Sequence, residues 1–196
     1  MLIGPPGAGK TVVGQVLAKD LDWQFWDTDA IIEQATAMKV ADIFSKHSED
    51  TFRFLEKTVV ERIGELYANI DNFNYNGKVG TVISCGGGLP IPKKNFAALS
   101  ELGTIVHLYA SPNILIERIK QTKNRPLLDQ ESTKNDVENI SNHFGLRQAK
   151  LEALIQERKH VYAQARLNID TSNKNIITVA RSIKEQLGLG EFARTR

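Results

Sequence analysis

Few short patterns restrict a fold as tightly as Gly4-Pro5-Pro6-Gly7-Ala8-Gly9-Lys10-Thr11, which fits G-x-x-x-x-G-K-[ST] at every specified position. Apolar Met1-Leu2-Ile3 precede it as the end of a strand, and residues 11–21 follow with helical spacing. Glycines let successive backbone N–H groups turn inward around an anion, and the helix N-terminus adds the positive end of its dipole. Lys10 can then reach the β- and γ-phosphates, and the Thr11 hydroxyl can ligate magnesium. A glycine-rich turn that merely ends in Lys-Thr is the plainer alternative, and both flanks argue against it. The pattern predicts a nucleoside-triphosphate site.

The rest of the chain supplies the expected scaffold. Val12, Val13, Val16 and Leu17 mark one helix face ending near Asp20; residues 23–26 read as a short strand, followed by Asp27-Thr28-Asp29. Helical patterns occupy 30–38, 40–46 and a stretch to about Tyr67, the last capped by Ser48 or Asp50. A polar connection over 71–78 ends in the turn signal Asn76-Gly77. Residues 81–85 form an apolar strand running into Gly86-Gly87-Gly88, and a helix over 93–99 leads to a strand over 104–109. Pro112 opens a helix to about Thr122. A polar segment over 123–144 precedes a helix over 146–163, a strand over 167–170 and a closing helix over 176–187. Gly188 and Gly190 terminate that helix, and 191–196 form a frayed tail. Short apolar strands alternating with amphipathic helices predict an α/β protein, a parallel sheet covered on both faces. Ligands sit beyond the carboxyl ends of such strands, so the loop, Asp27–Asp29 and Gly86–Gly88 should line one crevice.

Composition excludes several partners. At 196 residues the chain suits a single domain, and a formal net charge of +2 is too small to argue for nucleic acid or an anionic membrane. Cys85 stands alone, so no internal disulfide forms, and His47, His107, His143 and His160 lack metal-ligand spacing. No apolar run reaches membrane-spanning length, and the N-terminus reads as free of a signal peptide. Only three residues precede the loop, which is short for a central strand.

Two helices place charge where apolar residues belong. Phe52, Leu55, Val59 and Ile63 form a stripe that contains Glu56. A carboxylate there needs a partner, and Arg53, three residues earlier, is the obvious one. A structural ion pair is one reading; the other is that Glu56 holds the Arg53 fork for an acidic ligand. In the late helix, Arg158 falls on the inward stripe of Leu151, Leu154 and Ile155. Two inward arginines imply an anion between them, and a planar carboxylate fits the guanidinium geometry. Asp27 and Asp29, two apart in extended backbone, should project to one side, although turn formation and helix capping compete as explanations. Beside a phosphate loop, aspartates serve magnesium and an attacking hydroxyl. Arg125-Pro126-Leu127-Leu128 opens the polar segment, and an arginine there could close over phosphates.

Together these residues resemble the shikimate kinases over nearly the whole chain. The carriers are the loop Gly4–Thr11; Phe25-Trp26-Asp27-Thr28-Asp29 with Ile32-Glu33; Phe52-Arg53-Phe54-Leu55-Glu56; Gly86–Gly88; Arg125-Pro126-Leu127-Leu128; and Arg158 with Tyr162. The resemblance implies a nucleoside-monophosphate-kinase-like fold: a five-stranded parallel sheet with core segments 1–27, 80–122 and 164–190, a substrate-binding region at about 28–67 and a lid at about 123–145. It implies a cytoplasmic or plastid monomer that uses ATP and Mg2+ to phosphorylate the 3-hydroxyl of shikimate. Gly7, Ala8, Gly9, Lys10 and Thr11 would bind ATP, with Arg118 flanking the adenine and Arg125 closing from the lid. Thr11 would ligate magnesium, with Asp27 and Ser84 contacting its waters. Asp29 would orient the attacking hydroxyl, with acceptance of its proton as a further role. Arg53 and Arg158 would grip the carboxylate, with backbone contacts from Gly87 and Gly88.

Some positions depart from the family pattern. Ala37 and Ser48 stand where glycine is common, and Arg166 where an aspartate often follows. Arg125 and Arg158 are 33 residues apart, which places an insertion within 129–148 and makes Arg147 the alternative to Arg158. Two other readings remain: a same-fold kinase for another small hydroxy acid such as gluconate, and a catalytically silent binding relative.

Overall fold

Alternation along the strands decides the architecture. Leu2, Val82, Val106 and Leu108 pack into one apolar cluster while Ile3, Ile83 and Ile105 pack into another. Neighbouring side chains of a strand point to opposite faces, so a sheet apolar at both must be covered on both. In the computed structural model, which describes residues 1–68, 80–121 and 140–189 (backbone only for 121 and 140–144), that is the arrangement.

The strands are β1 (Leu2–Ile3), β2 (Gln24–Asp27), β3 (Thr81–Ser84), β4 (Val106–Tyr109) and β5 (Leu167–Asp170). All pair in parallel, in the order β2-β3-β1-β4-β5. The helices are α1 (Lys10–Leu21), α2 (Thr28–Thr36), α3 (Val40–Lys46), α4 (Glu49–Ala68), α5 (Lys93–Leu102), α6 (Pro112–Gln121), α7 (Ile140–Tyr162) and α8 (Ile176–Gln186). Val13 and Leu17 of α1, Leu115 and Ile119 of α6, and Val179 and Ile183 of α8 fill one cluster. Ile32, Ile43, Phe52, Val59, Ile63 and Leu99, from α2 to α5, fill the other. Local chemistry sets several boundaries. The Ser48 hydroxyl accepts the Thr51 N–H at 3.3 Å ahead of α4, and Asn175 caps α8 through the Thr178 N–H at 2.8 Å. Gly188, at φ 63°, follows α8.

Two expectations need correction. The late helix starts at Ile140, not 146, so 140–145 of the expected lid are helical. Ser, Asn and Gly are weak helix formers, and that composition concealed a turn and a half whose continuation the apolar stripe sustains. Asp29 does not extend β2; it lies in the first turn of α2, whose N-cap is Asp27. Ala37, at a position the resemblance assigns to glycine, adopts the left-handed conformation that glycine favours, with φ 54°. The Asn76-Gly77 turn, Arg125, the remaining lid residues 123–139 and the tail lie outside the described residues.

Only two residues of β1 are needed because its neighbours hold it on both sides. Leu2 pairs with Ser84 and with Val106, and the Cys85 N–H bonds the Leu2 carbonyl at 3.0 Å. Register then sets the site: Asp27 lies beside Ser84 at the carboxyl ends of β2 and β3. Gly4, at φ 146°, lets the chain leave β1 against the Leu108 carbonyl, which a Cβ would overlap. Ile183, with no exposed surface, anchors α8 on this core. Truncation by Ile183→Ala should lower unfolding free energy by about 2–5 kcal/mol, read as a drop in urea midpoint at unchanged slope.

Candidate active site

Between Ile3 and Lys10 the backbone curls into an anion cradle. Gly7 and Gly9 take φ 80° and 91°, and the Ala8 N–H bonds the Pro5 carbonyl at 3.3 Å. Lys10, 8% exposed, lies at the start of α1 and donates to the Gly4 and Pro5 carbonyls at 2.9 and 3.2 Å. Its ammonium is thereby held over the loop rather than left to sample solvent. Arg118 of α6 braces the cradle from outside, donating to the Gly7 carbonyl at 3.4 Å and to the Thr171 hydroxyl and carbonyl at 2.9 and 2.7 Å. It ties the loop to Thr171, directly after β5.

Three oxygen-bearing side chains meet at the mouth of the cradle. The Thr11 hydroxyl donates to Asp27 Oδ2 at 2.8 Å and lies 3.5 Å from the Ser84 hydroxyl. Hydroxyl and carboxylate oxygens are the ligands a hard divalent cation prefers, so the set fits magnesium and its waters. Asp27 also caps α2, its Oδ1 accepting the Asp29 and Ala30 N–H groups at 3.1 and 3.3 Å. The capping and metal readings are therefore not alternatives, because each uses a different oxygen.

A second group of charges converges on Gly86–Gly88. A Cβ on Gly86 would overlap Asp29 Oδ1 and stand 3.4 Å from Glu56 Oε1. On Gly88 it would overlap the Arg53 guanidinium, and on Gly87 it would meet Arg158 Nη1 at 3.5 Å and Pro6 of the loop at 4.0 Å. Close approach explains Gly86 and Gly88, where the Asp29 carboxylate and the Arg53 guanidinium take the space of a Cβ, whereas Glu56 and Arg158 stand at ordinary contact distance. Arg158, 6% exposed, donates through Nη1 to the Gly87 carbonyl at 2.7 Å. Arg53 donates to Glu56 Oε2 at 2.6 Å and, through Nε and Nη2, to Glu49 Oε1 at 3.2 and 2.7 Å.

Asp29, Arg53, Gly87, Gly88 and Arg158 thus form one group, and Lys10, Thr11, Asp27 and Ser84 form the adjoining one. Asp27 and Asp29 face different groups, which an extended backbone would not allow and a helix start does. Among the described residues, Glu56 Oε1 and Arg158 Nε are buried side-chain atoms that no hydrogen bond satisfies. Buried polar atoms left without a partner are candidates for contact with a polar ligand. Sequence reasoning missed Glu49, whose place one turn before Arg53 was a usable signal. It also missed Thr28, whose hydroxyl accepts the buried Gly86 N–H at 2.7 Å. His107, expected in the core, is instead half-buried at a pocket beside Pro5, stacked on Tyr162 at 4.5 Å and bonded through Nδ1 to Asn168 at 2.9 Å.

Comparisons with known proteins bear on the family and the fold. The family model for shikimate kinase matches residues 6–188. A shikimate kinase of Thermodesulfovibrio yellowstonii is 36% identical over 183 residues, 93% of this chain and 91% of its own. A shikimate kinase structure from Acinetobacter baumannii, in complex with shikimate, superposes with a TM-score of 0.77 at 30% identity, covering 97% and 93% of the two chains. A gluconokinase from Sinorhizobium meliloti superposes at 0.51 with 16% identity over 97% and 95%, a likeness of fold alone.

Glu56 has no exposed side-chain surface, and burial pushes its carboxyl up to about 7. The Arg53 and Arg158 guanidiniums pull against that shift, and the Asp29 carboxylate adds to it. An unfolded chain gives up this proton near the usual 4.5, so between 4.5 and 7 the folded state holds a proton the unfolded state has lost. The group's contribution to stability is complete below 4.5 and fades as pH rises through 7. Unfolding free energy measured by urea at stepped pH should therefore carry a falling component over that window in the wild type. Glu56→Gln should lack it.

Proposed function

The chain belongs to the shikimate kinase family, and from that premise we infer that it transfers the γ-phosphoryl group of ATP to the 3-hydroxyl of shikimate. One observation carries the assignment to this site. Arg53, Arg158 and Asp29 reach the same three glycines, and the middle one adjoins the phosphate loop at Pro6. An acid held by two guanidiniums there lies close enough to the loop for its alcohol to meet the terminal phosphate.

Each group of residues has a task. Arg53 and Arg158 fork onto the carboxylate, Arg53 already oriented by Glu49 and Glu56. Backbone from Gly87 and Gly88 closes on the ring. Asp29 binds the attacking hydroxyl and takes up its proton as the oxygen–phosphorus bond forms. Lys10 and the amides around Gly7, Ala8 and Gly9 hold the β- and γ-phosphates, stabilising negative charge on the transferring group. Thr11, Asp27 and Ser84 would hold magnesium, which neutralises charge on the phosphate oxygens. Arg118 flanks the base. Arg125, assigned by its motif, would add a donor to the phosphates. The pair of arginines fits gluconate as well, but the family membership favours shikimate. Among the described residues no helix is long and apolar enough to cross a membrane, and we place the enzyme in the cytoplasm.

A coupled ADP-release assay with shikimate, gluconate and shared nucleotides as acceptors tests the reading. Turnover is expected with shikimate alone; turnover with gluconate and none with shikimate would overturn it. Asp29→Asn should lower kcat by about 10²- to 10⁴-fold while ATP affinity stays near the wild-type value, because Asp29 faces the acceptor side. Arg53→Ala should weaken shikimate binding by about 2–4 kcal/mol in calorimetry, as it removes a charge-assisted contact and strands Glu56. Unchanged affinity would refute the carboxylate assignment.

A further inference from the structure

The two aspartates divide their work between nucleotide and acceptor, yet they leave the chain two residues apart at one junction. Asp27 closes β2 and turns its Oδ2 to Thr11; Asp29 sits in the first turn of α2 with its carboxylate against Gly86. Between them lies Thr28, with no exposed surface. Its Oγ1 accepts the Gly86 N–H at 2.7 Å, across 58 residues of sequence and in a buried setting.

We propose that Thr28 is a positioning residue for phosphoryl transfer: its hydroxyl pins the β2–α2 junction to the glycine run and so sets the place of Asp29 relative to the acid clamp. The proposal rests on the kinase reading above. The Asp29 carboxylate takes the space a Cβ on Gly86 would fill, with Glu56 in contact beside it, so side-chain packing at Gly86 cannot hold the strand end. A backbone hydrogen bond can, and this one is short and shielded from water. Asp27 cannot substitute, since its Oδ1 is spent on capping α2 and its Oδ2 on Thr11. The register of β2 on β3 fixes the strands up to Asp27 and Ser84; beyond those residues the Thr28 hydroxyl continues the pairing. A purely structural role would require only that a buried N–H be matched. A positioning role adds that Asp29 and the acceptor move when the match is lost, while the phosphate loop does not.

Thr28→Val keeps the shape and removes the acceptor; Thr28→Ser keeps the acceptor. We expect Thr28→Val to lower kcat/KM for shikimate by about 10- to 100-fold, with KM for ATP within about twofold. Thr28→Ser should recover to within about threefold of the wild type. The proposal is overturned if valine matches the wild type, if serine falls as far as valine, or if KM for ATP rises by as large a factor as kcat/KM for shikimate falls. Amide hydrogen exchange keeps the two readings separable. If the wild type does not phosphorylate shikimate, the kinase reading fails. The pin then still stands if valine speeds exchange at Gly86 without touching residues 7–11, and falls if exchange is unchanged.

Discussion

The site depends on a place where no side chain stands. Gly86, Gly87 and Gly88 follow β3 with no Cβ; Asp29 and Arg53 fill the space at the first and last, and Glu56 and Arg158 from α4 and α7 come into contact distance. A methyl group on Gly88 would push into the Arg53 guanidinium, and one on Gly86 into the Asp29 carboxylate. Because β3 also contributes Ser84 to the Thr11–Asp27 group, the same few residues of backbone border both the nucleotide and the acceptor. The phosphate loop could sit on many folds of this class; it is this run that brings Asp29, Arg53 and Arg158 together beside it.

Holding four charges in a desolvated space is costly, and each is compensated separately. Arg53 is clasped between Glu49 on the solvent side and Glu56 on the buried side. Arg158 rests on the Gly87 carbonyl, which neutralises nothing but satisfies a donor. Glu56 is the most desolvated, and its raised pKa records that two guanidiniums do not fully offset burial beside Asp29. An incoming carboxylate changes this balance: it gives Arg158 a counter-charge and competes with Glu49 and Glu56 for the Arg53 fork. Arginine orientation is thus established before binding, which reduces the ordering cost that a flexible clamp would incur.

Much of this was legible in the sequence, for reasons that can be named. The phosphate loop is a local pattern whose geometry depends on its own glycines, so spacing suffices. Glu56 and Arg158 were visible because helical periodicity assigns a face to each residue, and a charge on the apolar face is conspicuous. Asp29 was placed on the right crevice for the wrong reason, since two-residue spacing in a strand implies one shared side and a helix start does not. That boundary depends on Asp27 acting as a cap, which is a tertiary as much as a local choice when its other oxygen faces Thr11. Thr28 carried no signal at all: between two aspartates it reads as turn filler, and its partner is 58 residues away. The first turns of α7 were hidden by weak helix formers.

Acceptor choice within this fold must come from shape rather than charge. Two guanidiniums recognise any small carboxylate, and a kinase for an open-chain sugar acid could use the same pair. What this site adds is rigidity. Phe52 packs against Phe44 with ring centroids 4.6 Å apart and planes tilted by 42°, and the Arg53 guanidinium lies 6.0 Å over the Phe52 ring. Both rings are buried in the cluster that supports α4. The Arg53 side of the pair therefore rests partly on core packing. A flexible polyol would lose several rotors to reach Asp29 from such a fixed clamp, whereas a ring presents its alcohol at a set distance from its carboxylate. On the proposed reading, a clamp braced in this way would favour a cyclic acid by entropy, before any contact with the ring is counted.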